Sequence, residues 1–198
     1  MKIIGITGGI GTGKSTILNI LKEKHHAYII ETDKLAHHLM LPGEAAYTEI
    51  VKCFGEDILT DDKCINRTKL GAIVFQNQEK LAQLNAIVHP AVKQYILQDI
   101  EKQKNSHTVS YYIIEAALLI EDGYHQICDE IWCVHVEKEE RIKRLMSGRG
   151  GTRQKWESII ASQSSDTYYR ENSNCIIENM GDIKNIESQI EQLLYKNT

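Results

Sequence analysis

The chain has 198 residues, 42% of them hydrophobic and 25% charged, with a formal net charge of −4. That length supports one compact domain with a sizeable core, with room for an inserted subdomain. The acidic balance lacks the basic excess of a dedicated nucleic-acid binder, and no apolar run reaches the roughly 18 residues of a membrane span.

Residues 2–7 (KIIGIT) predict a short buried strand. A glycine-rich turn follows, and residues 15–26 predict a helix with Ile17, Ile20 and Leu21 at helical spacing. Residues 27–30 (AYII) predict a second strand, running into Glu31, Thr32 and Asp33. Strand, turn, helix, strand opens a βαβ unit and points to a parallel sheet with helices on both faces. From Lys34 to about Ser106 the strand pattern disappears. Helices are expected around 34–40, 44–53, 67–76, 78–88 and 91–104, broken at Pro42-Gly43, Gly55 and Pro90. This is a helical insertion between the second and third strands. Strand patterns return at 108–115, 131–136 and 175–178, and helices are expected at 138–146, 153–164 and 183–195. The stretch SGRGGT, residues 147–152, is the expected mobile segment.

Cys53, Cys64, Cys128, Cys133 and Cys175 are scattered, odd in number and form no C-x-x-C pair. Neither a zinc site nor a disulfide framework is expected; reduced thiols packed as small hydrophobes are. No signal peptide is expected ahead of the first strand, and the expected location is cytoplasmic.

Gly8 to Ser15 (GGIGTGKS) fits G-x-x-x-x-G-K-[ST] between a strand and a helix. The glycines let backbone N–H groups turn inward around phosphate oxygens, and the helix N-terminus adds partial positive charge there. Lys14 can reach the β- and γ-phosphates, and the Ser15 hydroxyl can ligate Mg²⁺. Neither D-x-x-G nor N-K-x-D, the strings of a GTPase switch, occurs in the chain.

A small-molecule kinase also needs an acid near the γ-phosphate, an acceptor pocket and mobile arginines. Asp33 follows the second strand, whose end lies beside the phosphate loop in a parallel sheet. It has two readings: acceptor of the substrate hydroxyl's proton, or N-cap of the next helix. Arg149 sits among glycines and suits a lid over ATP. Arg141, a turn or two earlier, also reads as a solvated arginine at a basic helix end. Arg67, Asn85 and His89 are the polar candidates of the insertion, although His89 before Pro90 can equally mark a helix break. The doublets His25-His26 and His37-His38 lack further ligands for a metal.

Taken together, GITGGIGTGKST, ETDKLAHHL, PGEAAY, LNAIVHP, EAALLIE and RLMSGRGGTR followed by IIASQ resemble the dephospho-coenzyme A kinase family. The pieces occur in that family's order, and the similarity runs from Met1 to about Gly181. The resemblance implies an α/β fold: a five-stranded parallel P-loop kinase core with a helical substrate-binding insertion and a lid. On this chain that is a single domain over 1–198. The core would span about 1–33 and 107–198, the CoA-binding insertion about 34–106 and the lid about 141–164. It implies ATP-dependent phosphorylation of the ribose 3′-hydroxyl of dephospho-CoA with Mg²⁺. Carried over, Gly11, Thr12, Gly13, Lys14, Ser15 and Thr16 hold the ATP phosphates and Asp33 is the general base. Arg67 and His89 lie in the acceptor region, Glu121 is the acid of L-L-x-E, Arg149 is the lid arginine and Asn179 approaches the adenine.

The chain departs from the family pattern at several places. His37 stands where arginine is usual, Glu115 where aspartate is common, Ala117 for a proline and Asp166 where arginine is often seen. Gly148 shifts Arg149 by one position. A neutral imidazole does not reproduce the permanent fork of arginine. Two other readings therefore stand beside this one. The first is a P-loop kinase for another small hydroxyl acceptor, such as a nucleoside or nucleotide. The second is a nucleotide-dependent binding protein that has lost catalysis.

Overall fold

A computed structural model describes residues 1–195. In chain order the elements are β1 (Lys2–Thr7), α1 (Lys14–His25), β2 (Tyr28–Glu31), α2 (Thr32–Leu39), α3 (Tyr47–Phe54), α4 (Arg67–Val74) and α5 (Gln78–Ser106). Then follow β3 (Tyr111–Glu115), β4 (Glu130–His135), α6 (Lys138–Arg149), α7 (Arg153–Ala161), α8 (Asp166–Glu171), β5 (Cys175–Glu178) and α9 (Ile183–Tyr195). The five strands form one sheet in the order β2-β3-β1-β4-β5. The chain divides into two compact units: residues 1–29 with the segment from His107 onward, and Ile30–Ser106.

In the first unit β1 runs parallel to β3 on one side, with Ile4 opposite Ile113, and to β4 on the other. Central parallel strands are covered on both faces, which explains the nearly unbroken apolar runs IIGIT and YYII. Ile17, Leu18, Ile20 and Leu21 of α1 and Ile186, Ile190 and Leu194 of α9 share one core cluster with Ile4, Ile6, Trp132 and Val134. The i, i+4 spacing on α9 gives it a single apolar stripe. Each such aliphatic side chain contributes about 1.5–3 kcal/mol when fully buried. With β1 at the centre and α1 anchored below it, the turn between them is fixed at both ends.

The second unit is built on α5, which packs against α2, α3 and α4. The expected break at Pro90 does not occur: α5 runs unbroken over 29 residues with Pro90 inside it. Proline removes one helical hydrogen bond and crowds the preceding turn. Val88, Val92, Ile96 and Ile100 lie buried at i, i+4 spacing on either side of it. The packing of that stripe outweighs the local penalty. Three further boundaries differ from the sequence reading. α2 begins at Thr32, α6 runs on through Gly148 and Arg149, and a short α8, capped by the Ser165 hydroxyl on Tyr168 N–H, follows α7.

Candidate active site

The phosphate loop occupies residues 8–13 and leads into the first turn of α1. Gly13 has φ 82°, the left-handed region, and a Cβ there would overlap the Asn179 amide. A Cβ on Gly9 would overlap the Arg141 guanidinium. Both positions therefore require glycine for conformation or for close approach. Inside the loop the Thr12 hydroxyl donates to Gly9 O at 2.9 Å, and Thr12 is 2% exposed.

Lys14 opens α1. Its Nζ donates to Gly8 O at 2.8 Å and lies 3.7 Å from the Glu115 carboxylate at the end of β3. The ammonium is thus held over the loop, partly balanced by an acid. Ser15, the second residue of α1, is exposed. Gly11, Gly13 and Thr16 complete the turn, with Thr16 N–H donating to Gly13 O at 3.0 Å.

Asn179, 6% exposed beyond β5, donates from Nδ2 to Thr12 O at 2.7 Å. Its own carbonyl accepts from Arg144 Nη2 at 3.0 Å. Its amide is thus committed to the loop backbone. Two residues that the sequence reading did not assign to the loop also hold it, and a third braces one of them. Gln163 Oε1 accepts from Ile10 N–H at 2.8 Å. Arg141 Nε donates to Ile10 O at 2.9 Å, and Nη1 donates to Asp166 Oδ1 at 3.1 Å. Arg141 is only 3% exposed, so its reading as a solvated arginine at a basic helix end is overturned. It lies in the N-terminal turn of α6, where the helix dipole opposes a cation, and it is held there by acceptors from outside the helix. The signal available in the sequence was a basic residue at that unfavourable end.

Asp166 also lies 3.9 Å from His135 Nε2, whose Nδ1 meets Glu178 Oε2 at 2.7 Å. Arg170 bonds the other Glu178 oxygen at 2.9 Å. Burial pushes the Glu178 carboxyl upward, but the hydrogen bonds and charges of His135 and Arg170 outweigh it and leave it below the ordinary 4.5. Buried Cys133 on β4 is pushed up to about 11 by burial, so it is a protonated packing thiol at neutral pH.

The α6–α7 region is compact. Arg149 is the last residue of α6 and exposed, not a member of a glycine loop. Gly150 and Gly151 make the turn, and Trp156 Nε1 donates to Gly150 O at 2.8 Å. Arg153 joins Glu139 at 2.6 Å and Glu157 at 2.7 Å. Glu121, in the turn after β3, accepts from the Ser164 hydroxyl at 2.7 Å.

In the second unit Asp33 is the second residue of α2 and exposed; the N-cap is Glu31, so Asp33 does not cap the helix. His37 lies one turn further along the same face. Its pKa is lowered from 6.5 by partial burial and by the Arg67 charge, against the opposing pull of Asp33. Asp33, His37 and Arg67 are therefore electrostatic neighbours, with exposed side chains. His89 is half-buried on α5.

A parallel sheet whose central strand runs into a phosphate loop, with a lysine and a serine opening the next helix, defines a P-loop nucleotide-binding core. The shikimate kinase of Acinetobacter baumannii has the same fold, with a TM-score of 0.59 at 14% identity, covering 100% of this chain and 95% of that one. The dephospho-CoA kinase of Campylobacter jejuni is nearer, with a TM-score of 0.74 at 25% identity and 100% of both chains covered. A curated dephospho-CoA kinase of Carboxydothermus hydrogenoformans is 40% identical over 196 residues, 99% of this chain and 94% of that protein. The profile of the dephospho-CoA kinase family matches residues 2–185. The chain belongs to the dephospho-CoA kinase family.

Proposed function

We propose that this chain transfers the γ-phosphoryl group of ATP to the ribose 3′-hydroxyl of dephospho-CoA, releasing ADP and CoA, the last step of CoA synthesis. The observation that carries the reading is a cross-braced phosphate loop in a chain matching this family over residues 2–185. In this reading the backbone of residues 11–16 and the Lys14 ammonium hold the β- and γ-phosphates. Asp33 takes the proton of the 3′-hydroxyl, whose oxygen bonds to the γ-phosphorus. The bond from that phosphorus to the β,γ-bridging oxygen breaks, and ADP leaves. Arg149 supplies positive charge to the transferring group, and residues 141–164 act as the lid that keeps water from accepting it. Arg67 and His89 of the helical insertion, with Glu121, hold the acceptor, and Asn179 supports the ATP side. The five free cysteines suit a reducing cytoplasm.

Mg²⁺ fits the donors present. The ion takes hard oxygens, keeps several waters and needs only one or two protein ligands beside substrate phosphates. Ser15 offers an exposed hydroxyl, and Glu115 offers a carboxylate beside Lys14. No cluster of three or more His, Cys, Asp or Glu among the described residues could hold a metal. Ser15 would therefore hold the ion, which when bound offsets phosphate charge.

A coupled ADP-release assay tests the reading. Dephospho-CoA should stimulate ADP release, with CoA as the second product. Stimulation by nucleosides or nucleotides and not by dephospho-CoA would move the activity to another hydroxyl acceptor. Tight ATP binding without stimulation by any of them would leave a nucleotide-binding protein.

A further inference from the structure

The backbone of Ile10, at the tip of the phosphate loop, is gripped through both its N–H and its carbonyl by residues distant in sequence. Its N–H donates to Gln163 Oε1 at 2.8 Å, and its carbonyl accepts from Arg141 Nε at 2.9 Å. Arg141 Nη2 lies 3.4 Å from the same Gln163 oxygen, and Nη1 donates to Asp166 Oδ1 at 3.1 Å. Three of the guanidinium's five N–H directions are thus spent on one connected set. The guanidinium fills the space that the missing Cβ of Gly9 leaves open.

Nothing in the packing of the core asks for a cation here. Arg141 is buried at the helix end whose dipole repels it, and buried ion pairs are often no more stable than apolar replacements of similar volume. What an apolar side chain cannot do is hold the Ile10 carbonyl and Asp166 at once through one rigid plane. The feature is explained by geometry at the loop tip. A loop carrying glycines at 8, 9, 11 and 13 has many backbone states in the absence of such constraints. Its anion-binding N–H groups converge only in one of them.

We propose that Arg141, together with Gln163 and Asp166, is a positioning latch that ties the α6–α8 segment to the phosphate loop and holds the loop in its triphosphate-binding shape. These residues act through the Ile10 backbone and do not touch the reacting atoms. Their contribution is preorganisation: the loop is ordered before the nucleotide arrives, so less of the binding free energy is lost in ordering it. The inference rests on the proposed function only in taking ATP as the ligand; it concerns the donor side and not the choice of acceptor.

Isothermal titration with AMP-PNP and Mg²⁺ on the full chain tests it. Arg141→Ala should weaken AMP-PNP binding about tenfold, as expected for loss of a charge-assisted hydrogen bond at the loop. Arg141→Lys should fail to restore it, because an ammonium cannot span the Ile10 carbonyl and Asp166. Asp166→Asn, at a partly exposed site that tolerates the change, should weaken binding about threefold while the enzyme stays folded. In turnover, KM for ATP should rise in each variant while KM for dephospho-CoA stays at the wild-type value. A merely structural role would lower the melting temperature and leave that split absent. AMP-PNP affinity within twofold of wild type in a cooperatively folding Arg141→Ala overturns the latch, as does unchanged affinity in Asp166→Asn if Arg141→Ala does not fold. Wild-type binding of AMP-PNP without phosphorylation of dephospho-CoA would instead defeat the proposed activity and leave the latch standing.

Discussion

The two compact units carry their candidate residues in different ways. In the first, Thr12, Arg141 and Asn179 are 2%, 3% and 6% exposed, and each makes hydrogen bonds to or within the loop backbone. In the second, Asp33, His37 and Arg67 are exposed, and the charges of Arg67 and Asp33 act on His37 in opposite senses. A triphosphate presents the same oxygens to every P-loop kinase, so a rigid cradle built from backbone can be prepared in advance. An acceptor is recognised by side chains on the surface of helices. There a substitution such as His37 for arginine costs the fold little and changes the chemistry directly.

The largest expected effect breaks this division at one residue. Asp33→Asn should lower kcat by about 10²–10⁴-fold, the range of a lost general base, with AMP-PNP affinity within twofold of wild type. Coupled ADP release and calorimetry measure the two quantities. Full turnover in Asp33→Asn would sink the base assignment and move the chemistry elsewhere.

A matched pair of glycine substitutions sharpens the contrast. Gly13 in the loop and Gly43 in the helical unit both have left-handed φ, 82° and 89°. Around Gly43 an added Cβ meets nothing within 4 Å, whereas at Gly13 it meets the Asn179 amide. Gly43→Ala should therefore cost only the backbone term, about 1–2 kcal/mol in chemical denaturation, and keep nucleotide binding. Gly13→Ala should cost more and abolish measurable AMP-PNP binding, because Asn179 must release Thr12 O. Equal losses in the two variants would mean that the loop is no more tightly built than the helical unit.

On the acceptor side, Arg67→Ala should raise KM for dephospho-CoA about tenfold, as for loss of a charge-assisted hydrogen bond. It should leave KM for ATP unchanged. The same substitution removes one of the two causes that lower the His37 pKa, so the imidazole should titrate closer to 6.5 in an NMR titration. No movement of that titration would remove Arg67 from the neighbourhood of His37.

How much of this was legible in the sequence follows the same division. KIIGIT, the loop and α1 could be read directly, because a fully buried parallel strand and a G-x-x-x-x-G-K-[ST] turn each have local signatures. α5 could not be read as one helix: Pro90 is a local stop signal, and what overrides it is a stripe from Val88 to Ile100 packed on other helices. Arg149 was expected among glycines, yet α6 carries it as its last residue, since the weak helix propensity of Gly148 is outweighed by Ile142 and Leu145 anchoring the helix. The latch was least legible of all. Ile10 and Gln163 are 153 positions apart, and a glutamine in the link after α7 and an aspartate opening α8 carry no pattern that points to a loop at the other end of the chain.

The smallest expected effect compares how the two units respond to acid. Glu178, beside His135 and Arg170 in the first unit, is held below 4.5, while His37 in the second is held below 6.5. Both groups bind protons more weakly in the folded protein than in the unfolded chain, so both contribute stability that is complete above their ordinary values and is lost as pH falls through the lowered ones. The loss at His37 therefore comes first, starting near 6.5, and the loss at Glu178 follows below 4.5. The Glu178 carboxylate is about half exposed, and solvent screens it, so Glu178→Gln should cost only about 0.2–1 kcal/mol at neutral pH. That difference should shrink to nothing in acid, where wild type and variant are both uncharged at this position. Urea unfolding at stepped pH measures it. A difference that persists unchanged into acid would mean that Glu178 acts through the shape of its hydrogen bonds to His135 and Arg170 and not through its charge.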